Sequence, residues 1–579
     1  MSRTRRPKTL AVFTEWTGAR YGDHPALRAK GRPPVSYAEL RDTVRAIARG
    51  LIGPGTGVRA GDRVAILSET RAEWTYAHFA VLAAGAVVVP VYPTAGDQEL
   101  AWVLGDSGAT VVICENAERA ARVEGVRAKA PAVRHVLLMD ELRALPGPAA
   151  STDELAARAT AVADGDLSAI VYTSGTTGPP KGCRLTHGNL GAVLDANLDL
   201  IGGGPGDRTY LYLPLAHLLA QLIEFTTLLY GGELCYFGGR VEDVVSELAE
   251  VRPTHLPSVP RLFEKVHAVV RSLAESRDGG RERFEEAVRI GLLAARGRLP
   301  DALRASYEEA DQQLYSLVRA AFGGRLRWAL TGAAPIAPQT MDFLRACGIE
   351  VFEGYGMTES GGVISLNHPG AVRYGTVGRP VAGCEVRIAD DGEVLARGPM
   401  VFPGYHGNEA ATRETVDADG WLHTGDLGAL DADGYLTITG RKKDLIITSA
   451  GKNLTPSLVE TAVQQQSPLV AHVVMVGDRR PYPVALITLD PEEVAAWAAR
   501  EGRDPDDREA LRAVVREAVD AANAQVSRPA RLRAFAVLDE DFTVAAGVLT
   551  PTLKVRRRAV AARYAAEIEA LYAAGADTG

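Results

Sequence analysis

The segment Tyr172-Thr173-Ser174-Gly175-Thr176-Thr177-Gly178-Pro179-Pro180-Lys181-Gly182 follows an apolar run, Leu167 to Thr173, and precedes a helical pattern that starts near His187. Small hydroxyl and glycine residues in such a loop present backbone N–H groups as an anion-binding nest, and Lys181 adds a mobile positive charge. Phosphate is the natural guest. A Walker A loop is excluded, because its pattern needs Gly where Pro180 stands and Ser or Thr where Gly182 stands. A flexible linker is a poor alternative, since linkers seldom place a lysine after a proline pair between a strand and a helix.

Outward from this loop, short apolar runs alternate with helix-length stretches. Val64 to Leu67, Val87 to Val91, Val111 to Cys114 and His135 to Met139 precede it, and Leu234 to Phe237, Leu326 to Thr331 and Ile349 to Phe352 follow. This rhythm predicts doubly wound parallel α/β units, whose sites lie at the carboxyl ends of the strands. Pro260 to Phe322 is long, charged and helical in period, with Gly279 and Gly280 as its break, and reads as a helical insertion. After Cys384 the pattern turns to hairpins: Glu385 to Ile388 with Glu393 to Ala396, then Leu422 to Leu430 with Tyr435 to Thr439. Past Gly440 a smaller α+β unit follows, with a hairpin of His472 to Val476 and Val484 to Leu489 across Pro481-Tyr482-Pro483. The expected organisation is α/β: a large N-terminal domain (1–440) of doubly wound subdomains plus a β-rich subdomain, a hinge (441–444), and a small mobile α+β C-terminal domain (445–579).

The chain's 579 residues correspond to about three to five folding units at roughly 100–200 residues per domain. With 64 Lys and Arg against 72 Asp and Glu, the net charge of −8 argues against a nucleic-acid partner, which needs a basic surface. The five cysteines, Cys114, Cys183, Cys235, Cys347 and Cys384, are widely spaced, with neither a disulfide framework nor a zinc pattern. A reducing, cytoplasmic compartment fits. Phe79 to Tyr92, the longest uncharged apolar run, contains Gly85 and Pro90 and is shorter than the ~18–20 residues of a spanning helix, so it reads as a buried helix entering a strand.

Four further segments stand in order behind the phosphate loop: Tyr210 to His217, Glu353-Gly354-Tyr355-Gly356-Met357-Thr358-Glu359-Ser360, His423-Thr424-Gly425-Asp426-Leu427-Gly428, and Gly440-Arg441-Lys442-Lys443-Asp444. Together the five resemble the adenylate-forming acyl-CoA synthetase (ANL) family over nearly the whole chain. The resemblance implies two-step chemistry: a carboxylate attacks the α-phosphorus of ATP to give acyl-AMP and pyrophosphate, then a thiol displaces AMP. It implies ATP, Mg²⁺ and coenzyme A as cofactor and co-substrates.

The same resemblance implies roles residue by residue. Thr173, Ser174, Gly175, Thr176, Thr177, Gly178 and Lys181 cradle the β- and γ-phosphates; Thr358 reaches the α-phosphate and Glu359 ligates Mg²⁺. Tyr355, within Glu353 to Gly356 (Glu353, Gly354, Tyr355, Gly356), stacks on adenine, with Gly332, Ala333 and Ala334 along its edge. Asp426 accepts from the ribose hydroxyls with Arg441 nearby, although Asx hydrogen bonding in a T-G-D turn would by itself explain an aspartate there. His217 sits at the acyl and α-phosphate site, although a lone histidine before an apolar helix is more often structural. Lys443 is the hinge position and Gly451 approaches the pantetheine channel, with Ala450 where many members have Gly. Leu549 to Arg558 resembles the family's final motif. Lys554 is its catalytic lysine, preceded by Leu553 where many members have Gly, and Arg556 to Arg558 read as a solvated basic helix start.

Pro260-Arg261-Leu262-Phe263-Glu264-Lys265-Val266 resembles a signature of the long-chain fatty acid–CoA ligase branch, and Leu215 to Tyr230 is a strongly apolar helix near the acyl site. The expected substrate is a long-chain fatty acid. A ligase for a medium-chain or aryl acid stays open. So does a fatty acyl-AMP ligase loading a carrier protein, although Leu427 to Gly440 has no room for the insertion such enzymes carry. A luciferase-like monooxygenase and a non-catalytic nucleotide-binding scaffold are more distant readings; the scaffold would be expected to lose Glu359 or Lys554. A lipidic substrate and the basic segment Arg3 to Lys8 suggest weak peripheral membrane association. Monomer and homodimer are both open.

Overall fold

The computed structural model describes residues 6–145, 147–173, 179–198, 200–240, 243–449, 452–543, 546–550 and 554–576. Of the residues singled out above, Arg3, Ser174, Gly175, Thr176, Thr177, Gly178, Ala450, Gly451 and Leu553 lie outside them. The chain divides into two compact units. One comprises Met1–Arg387, Leu395–Thr424 and Leu430–Leu436; the other comprises Ile388–Val394, Gly425–Ala429 and Thr437–Gly579.

The larger unit is built on two sheets. A six-stranded sheet runs in the order His135–Leu138, Val111–Cys114, Arg63–Leu67, Val87–Val91, Leu167–Thr173, Lys181–Thr186. Its first five strands pair in parallel, with Val64 opposite both Val88 and Val111, and only the Lys181–Thr186 edge is antiparallel. All five residues of Val87–Val91 are buried, as expected of a β-branched run covered on both faces. The helix Ala72–Ala83 feeds that strand through Gly85, at φ +71°. Such a left-handed turn suits glycine, which has no Cβ to clash.

A nine-stranded sheet is ordered Arg379–Pro380, Ser365–Leu366, Val351–Tyr355, Trp328–Thr331, His255–Ser258, Arg208–Leu211, Glu233–Tyr236, Pro25–Arg28, Val35–Ser36. Its centre is parallel, and Thr331 pairs with Glu353, so the segments after both strands leave the same edge. The helix Leu218–Leu229 belongs to the main core of this unit, where Phe225 meets Phe13 and Phe79. The helical insertion forms as predicted, from Pro260–Glu275 and Gly280–Ala295 joined through Gly279 at φ +60°. The strands Glu385–Ile388, Glu393–Arg397, Leu422–Leu430 and Leu436–Arg441 form where the sequence alternates.

The second unit holds a three-stranded sheet. Val470–Val476 and Val484–Leu489 are the expected antiparallel hairpin, and Phe535–Val537 adds in parallel. Val515, Val519 and Ala522 of the helix Arg508–Gln525 close its core against Ile487 and Phe535.

Among the described residues, no helix is long and apolar enough to cross a membrane.

Candidate active site

The segment expected to bind phosphate is flanked by two paired strands. Thr173 is opposite Lys181 in an antiparallel pair, and the helix His187–Leu198 begins only after Lys181–Thr186 is complete. The helix starts at His187 as expected, and the residues just before it form a strand in which Cys183 and Leu185, both buried, alternate with partly exposed Arg184 and Thr186. Lys181 is held by a ladder rather than by a helix N-terminus. The loop's flanks are fastened by the helix Asp97–Ser107. Trp102 Nε1 donates to the Pro180 carbonyl at 2.9 Å, and Tyr172 donates its hydroxyl to Asp106 Oδ2 at 2.6 Å.

A second chain segment docks on the Lys181 strand. His406 N donates to Gly182 O at 2.7 Å, Arg184 N donates to Gly404 O at 3.2 Å, and Cys183 bridges Tyr405. This places the Tyr405 ring 5.0 Å from Lys181 Nζ, and its hydroxyl donates to Glu359 Oε1 at 2.7 Å. Glu359 is 7% exposed and sits in the single turn Thr358–Ser360, which Gly361 closes at φ +64°. Thr358 and Glu359 are therefore adjacent on one rigid turn, with Lys181 linked to Glu359 through Tyr405. Cys183 is fully buried beneath them, where burial pushes its thiol well above the ordinary range, consistent with a packing role.

The residues expected along the nucleotide edge also come together. A Cβ on Gly332 would lie 3.1 Å from Gly354 O, and one on Gly356 would lie 2.4 Å from Gly362 O, so both glycines are places of close backbone approach. Ala333 takes φ +67°, a left-handed conformation unusual for a residue with a Cβ and a mark of local strain. Thr331 Oγ1, immediately before, is buried without a hydrogen-bond partner among the described residues. Burial raises the Glu353 carboxyl to about 7.

His217 caps the helix Leu218–Leu229, its Nδ1 accepting from Leu219 N at 3.1 Å. In the neutral ring this bond fixes the proton on Nε2. The structural alternative for this histidine is therefore realised locally. Four residues on, Gln221 is fully buried and donates to Leu215 O, while its Oε1 has no partner among the described residues.

In the second unit, Arg441 Nε lies 3.0 Å from Asp426 Oδ1, with the carboxylate buried and the arginine exposed. Asp426 stands within the strand Leu422–Leu430, after Gly425 at φ +71°, so the turn explanation for it does not hold. Lys442 is anchored to Glu393 at 3.1 Å and to Asp391 at 2.5 Å, whereas Lys443, in the short turn Lys442–Asp444, is exposed. Lys554 is exposed, its backbone N bonded to Thr550 Oγ1 at 3.0 Å and its carbonyl accepting from Thr550 N at 2.8 Å. The basic run after it is not simply a solvated helix start. Arg557 is partly buried, forms a two-pronged pair with Glu460 and lies 3.6 Å from Asp444.

Among the described residues no group of three or more His, Cys, Asp or Glu could hold a metal. Mg²⁺ takes hard oxygen ligands and few protein donors, so a single carboxylate together with substrate phosphates can hold it. The Glu359 carboxylate, one of whose oxygens receives the Tyr405 hydroxyl, is of that chemical kind.

Residues 14–406 match the AMP-binding enzyme family, and residues 443–576 match the AMP-binding enzyme C-terminal domain. The chain belongs to the AMP-binding enzyme family. Among AMP-binding enzymes it is 41% identical over 563 residues to the long-chain-fatty-acid–CoA ligase FadD15 of Mycobacterium bovis, covering 93% of this chain and 92% of that one. It is 32% identical to the peroxisomal long chain acyl-CoA synthetase 7 of Arabidopsis thaliana, over 93% of this chain and 81% of the relative. Among solved structures it is similar to the o-succinylbenzoate CoA synthetase MenE of Bacillus subtilis in complex with its acyl-adenylate, at 25% identity and TM-score 0.70, covering 94% and 96% of the two chains.

Proposed function

We propose that this AMP-binding enzyme is a long-chain fatty acid–CoA ligase. It activates a fatty acid with ATP to acyl-AMP and pyrophosphate, then transfers the acyl group to coenzyme A with release of AMP. The observation that carries this reading is the near full-length identity to long-chain-fatty-acid–CoA ligases, together with the grouping of Lys181, Thr358 and Glu359 on connected elements.

In the first step Lys181 and the loop that begins after Thr173 hold the β- and γ-phosphates, Thr358 hydrogen-bonds at the α-phosphate and Glu359 holds Mg²⁺. Bound Mg²⁺ supplies neutralisation of the charge that develops on the departing pyrophosphate. Tyr355 stacks on adenine beside Gly332, Ala333 and Ala334, with Glu353, Gly354 and Gly356 completing that wall. Asp426 accepts from the ribose hydroxyls and is itself oriented by Arg441. Lys554 bridges the attacking carboxylate and the nucleotide, a role suited to an ammonium on a flexible stem. His217 orients the acyl carboxylate through Nε2–H. For the second step, domain 445–579 rotates against domain 1–440 about the hinge 441–444 with Lys443 as its pivot. A few residues that absorb a large backbone rotation suffice for such a hinge.

The free, buried state of all five cysteines supports a cytoplasmic setting. Weak association with an anionic membrane surface is supported by the exposed stripe Arg261, Lys265, Val269 and Leu273, one residue per turn of the insertion helix. Sedimentation with phosphatidylglycerol vesicles, reversed by salt, is expected; no binding at any ionic strength would remove that part of the reading.

The reaction class is tested with carboxyl-¹⁸O-labelled palmitate. Attack by the carboxylate at the α-phosphorus leaves one labelled oxygen in the AMP released by CoA. Label in inorganic phosphate, or none in AMP, contradicts the adenylate route.

A further inference from the structure

Tyr405 belongs to none of the motifs that point to phosphate or metal binding, yet it touches both. Its hydroxyl donates to Glu359 Oε1 at 2.7 Å, and its ring faces Lys181 Nζ at 5.0 Å from the centroid. The residue is 7% exposed, as is Glu359, so little water competes for the contact. The surroundings restrict the ring from several directions. Tyr405 N donates to Thr412 Oγ1 at 2.9 Å, and Phe402 packs edge-on against the ring at 4.9 Å. Phe402 N in turn donates to the Glu359 carbonyl at 2.9 Å, so the same short segment grips both the backbone and the side chain of Glu359. Gly404, at φ +132°, makes the bend that lets it do so; a Cβ there would lie 2.4 Å from Thr412 Cγ2.

We infer that Tyr405 is a positioning residue that couples the phosphate lysine to the metal-binding carboxylate. Its hydroxyl occupies one oxygen of Glu359 and so directs the other toward Mg²⁺, while its ring face steers the Lys181 ammonium. A hydrogen bond from a neutral donor to a carboxylate is strong and directional, and partners that orient a metal ligand typically change metal affinity or activity by about 10–100-fold when lost. The inference rests on the reading of Glu359 as the Mg²⁺ ligand.

The test compares Tyr405→Phe, Glu359→Gln and the unaltered enzyme. Mn²⁺ affinity is measured by electron paramagnetic resonance in the presence of α,β-methylene-ATP, alongside the Mg²⁺ dependence of adenylation. Tyr405→Phe keeps the ring and removes only the hydroxyl. It is expected to weaken Mn²⁺ binding about tenfold and raise the half-saturating Mg²⁺ concentration in parallel, with the KM for fatty acid unmoved. Weakened Mn²⁺ binding in Glu359→Gln but unchanged binding in Tyr405→Phe overturns the role of Tyr405. Unchanged binding in Glu359→Gln overturns the metal reading of Glu359, and the role of Tyr405 with it. Should Tyr405→Phe fail to fold, Thr412→Val loosens the same tyrosine through its backbone. A several-fold loss of Mn²⁺ affinity is then expected, and unchanged affinity in that folded variant contradicts the inference.

Discussion

Arg441 Nε lies 3.0 Å from Asp426 Oδ1, joining the last residue of one strand to a buried carboxylate in the middle of another. One Asp426 oxygen is thus oriented by a cation before any nucleotide arrives. Asp426→Asn keeps the shape and removes the charge, and a hydrogen bond to a charged group contributes about 1.5–3 kcal/mol, or roughly 10–150-fold. The KM for ATP is expected to rise by at least about tenfold, with the KM for fatty acid unchanged. Initial-rate kinetics in both substrates checks this, and an unaltered KM for ATP contradicts ribose recognition by Asp426.

Lys554 and Lys443 are assigned to different half-reactions, so their variants should separate. Lys554→Ala is expected to slow adenylation about 100-fold or more, the scale of losing one transition-state charge partner, while CoA acylation from synthetic acyl-AMP survives. Single-turnover assays of each step check this. Equal loss in both steps contradicts the role of Lys554.

Lys443→Pro should behave in the opposite way, because proline locks φ at the hinge and hinders rotation after adenylation is complete. Adenylation from ATP is expected to persist while thioester formation from acyl-AMP falls. Unchanged thioester formation moves the pivot elsewhere.

Arg557 gives a stability prediction independent of catalysis. Its guanidinium meets both Glu460 oxygens, and Glu460 is buried and also accepts from Met475 N. Removing one partner of a buried pair strands the other charge and costs about 3–5 kcal/mol. Arg557→Met should therefore lower the unfolding midpoint of the second unit, read by differential scanning calorimetry. An unshifted transition contradicts a structural role.

Glu353 predicts a pH effect. Burial raises its carboxyl to about 7 in the folded chain, against about 4.3 in an unfolded one. A raised folded value means that its stabilising contribution is whole below the unfolded value and is lost as pH rises from about 4.3 through 7, at a limiting slope of about 1.4 kcal/mol per pH unit. Glu353→Gln cannot ionise. Its melting temperature relative to the unaltered enzyme should climb by a few degrees between pH 5 and pH 8. Parallel melting curves across that range contradict a raised Glu353 carboxyl.

Strand and helix placement was legible where apolar runs are β-branched and buried on both faces, as at Val64 to Leu67 and Val111 to Cys114. It failed where tertiary pairing makes the strand. Pro257 lies inside His255–Ser258 and argues against a central strand, yet it pairs with Leu330 in the middle of a parallel sheet. Lys181–Thr186 was hidden by its own glycine and charges and exists through pairing with Leu167–Thr173. In the site, Lys181, Thr358 and Glu359 stood out because they sit in dense polar and glycine-rich motifs. Tyr405 and Trp102 did not, since each acts through a neighbour far away in the chain. Arg557 looked like one of three solvated arginines because nothing local announces Glu460, 97 residues earlier, as its partner.

The most direct test of the account is AMP and pyrophosphate release by the purified protein with ATP, Mg²⁺ and a panel of acids from acetate to oleate plus coumarate, with and without CoA. CoA-dependent turnover that peaks at long-chain acids is the predicted result. Acyl-AMP that accumulates regardless of CoA, or turnover confined to short or aryl acids, would contradict it.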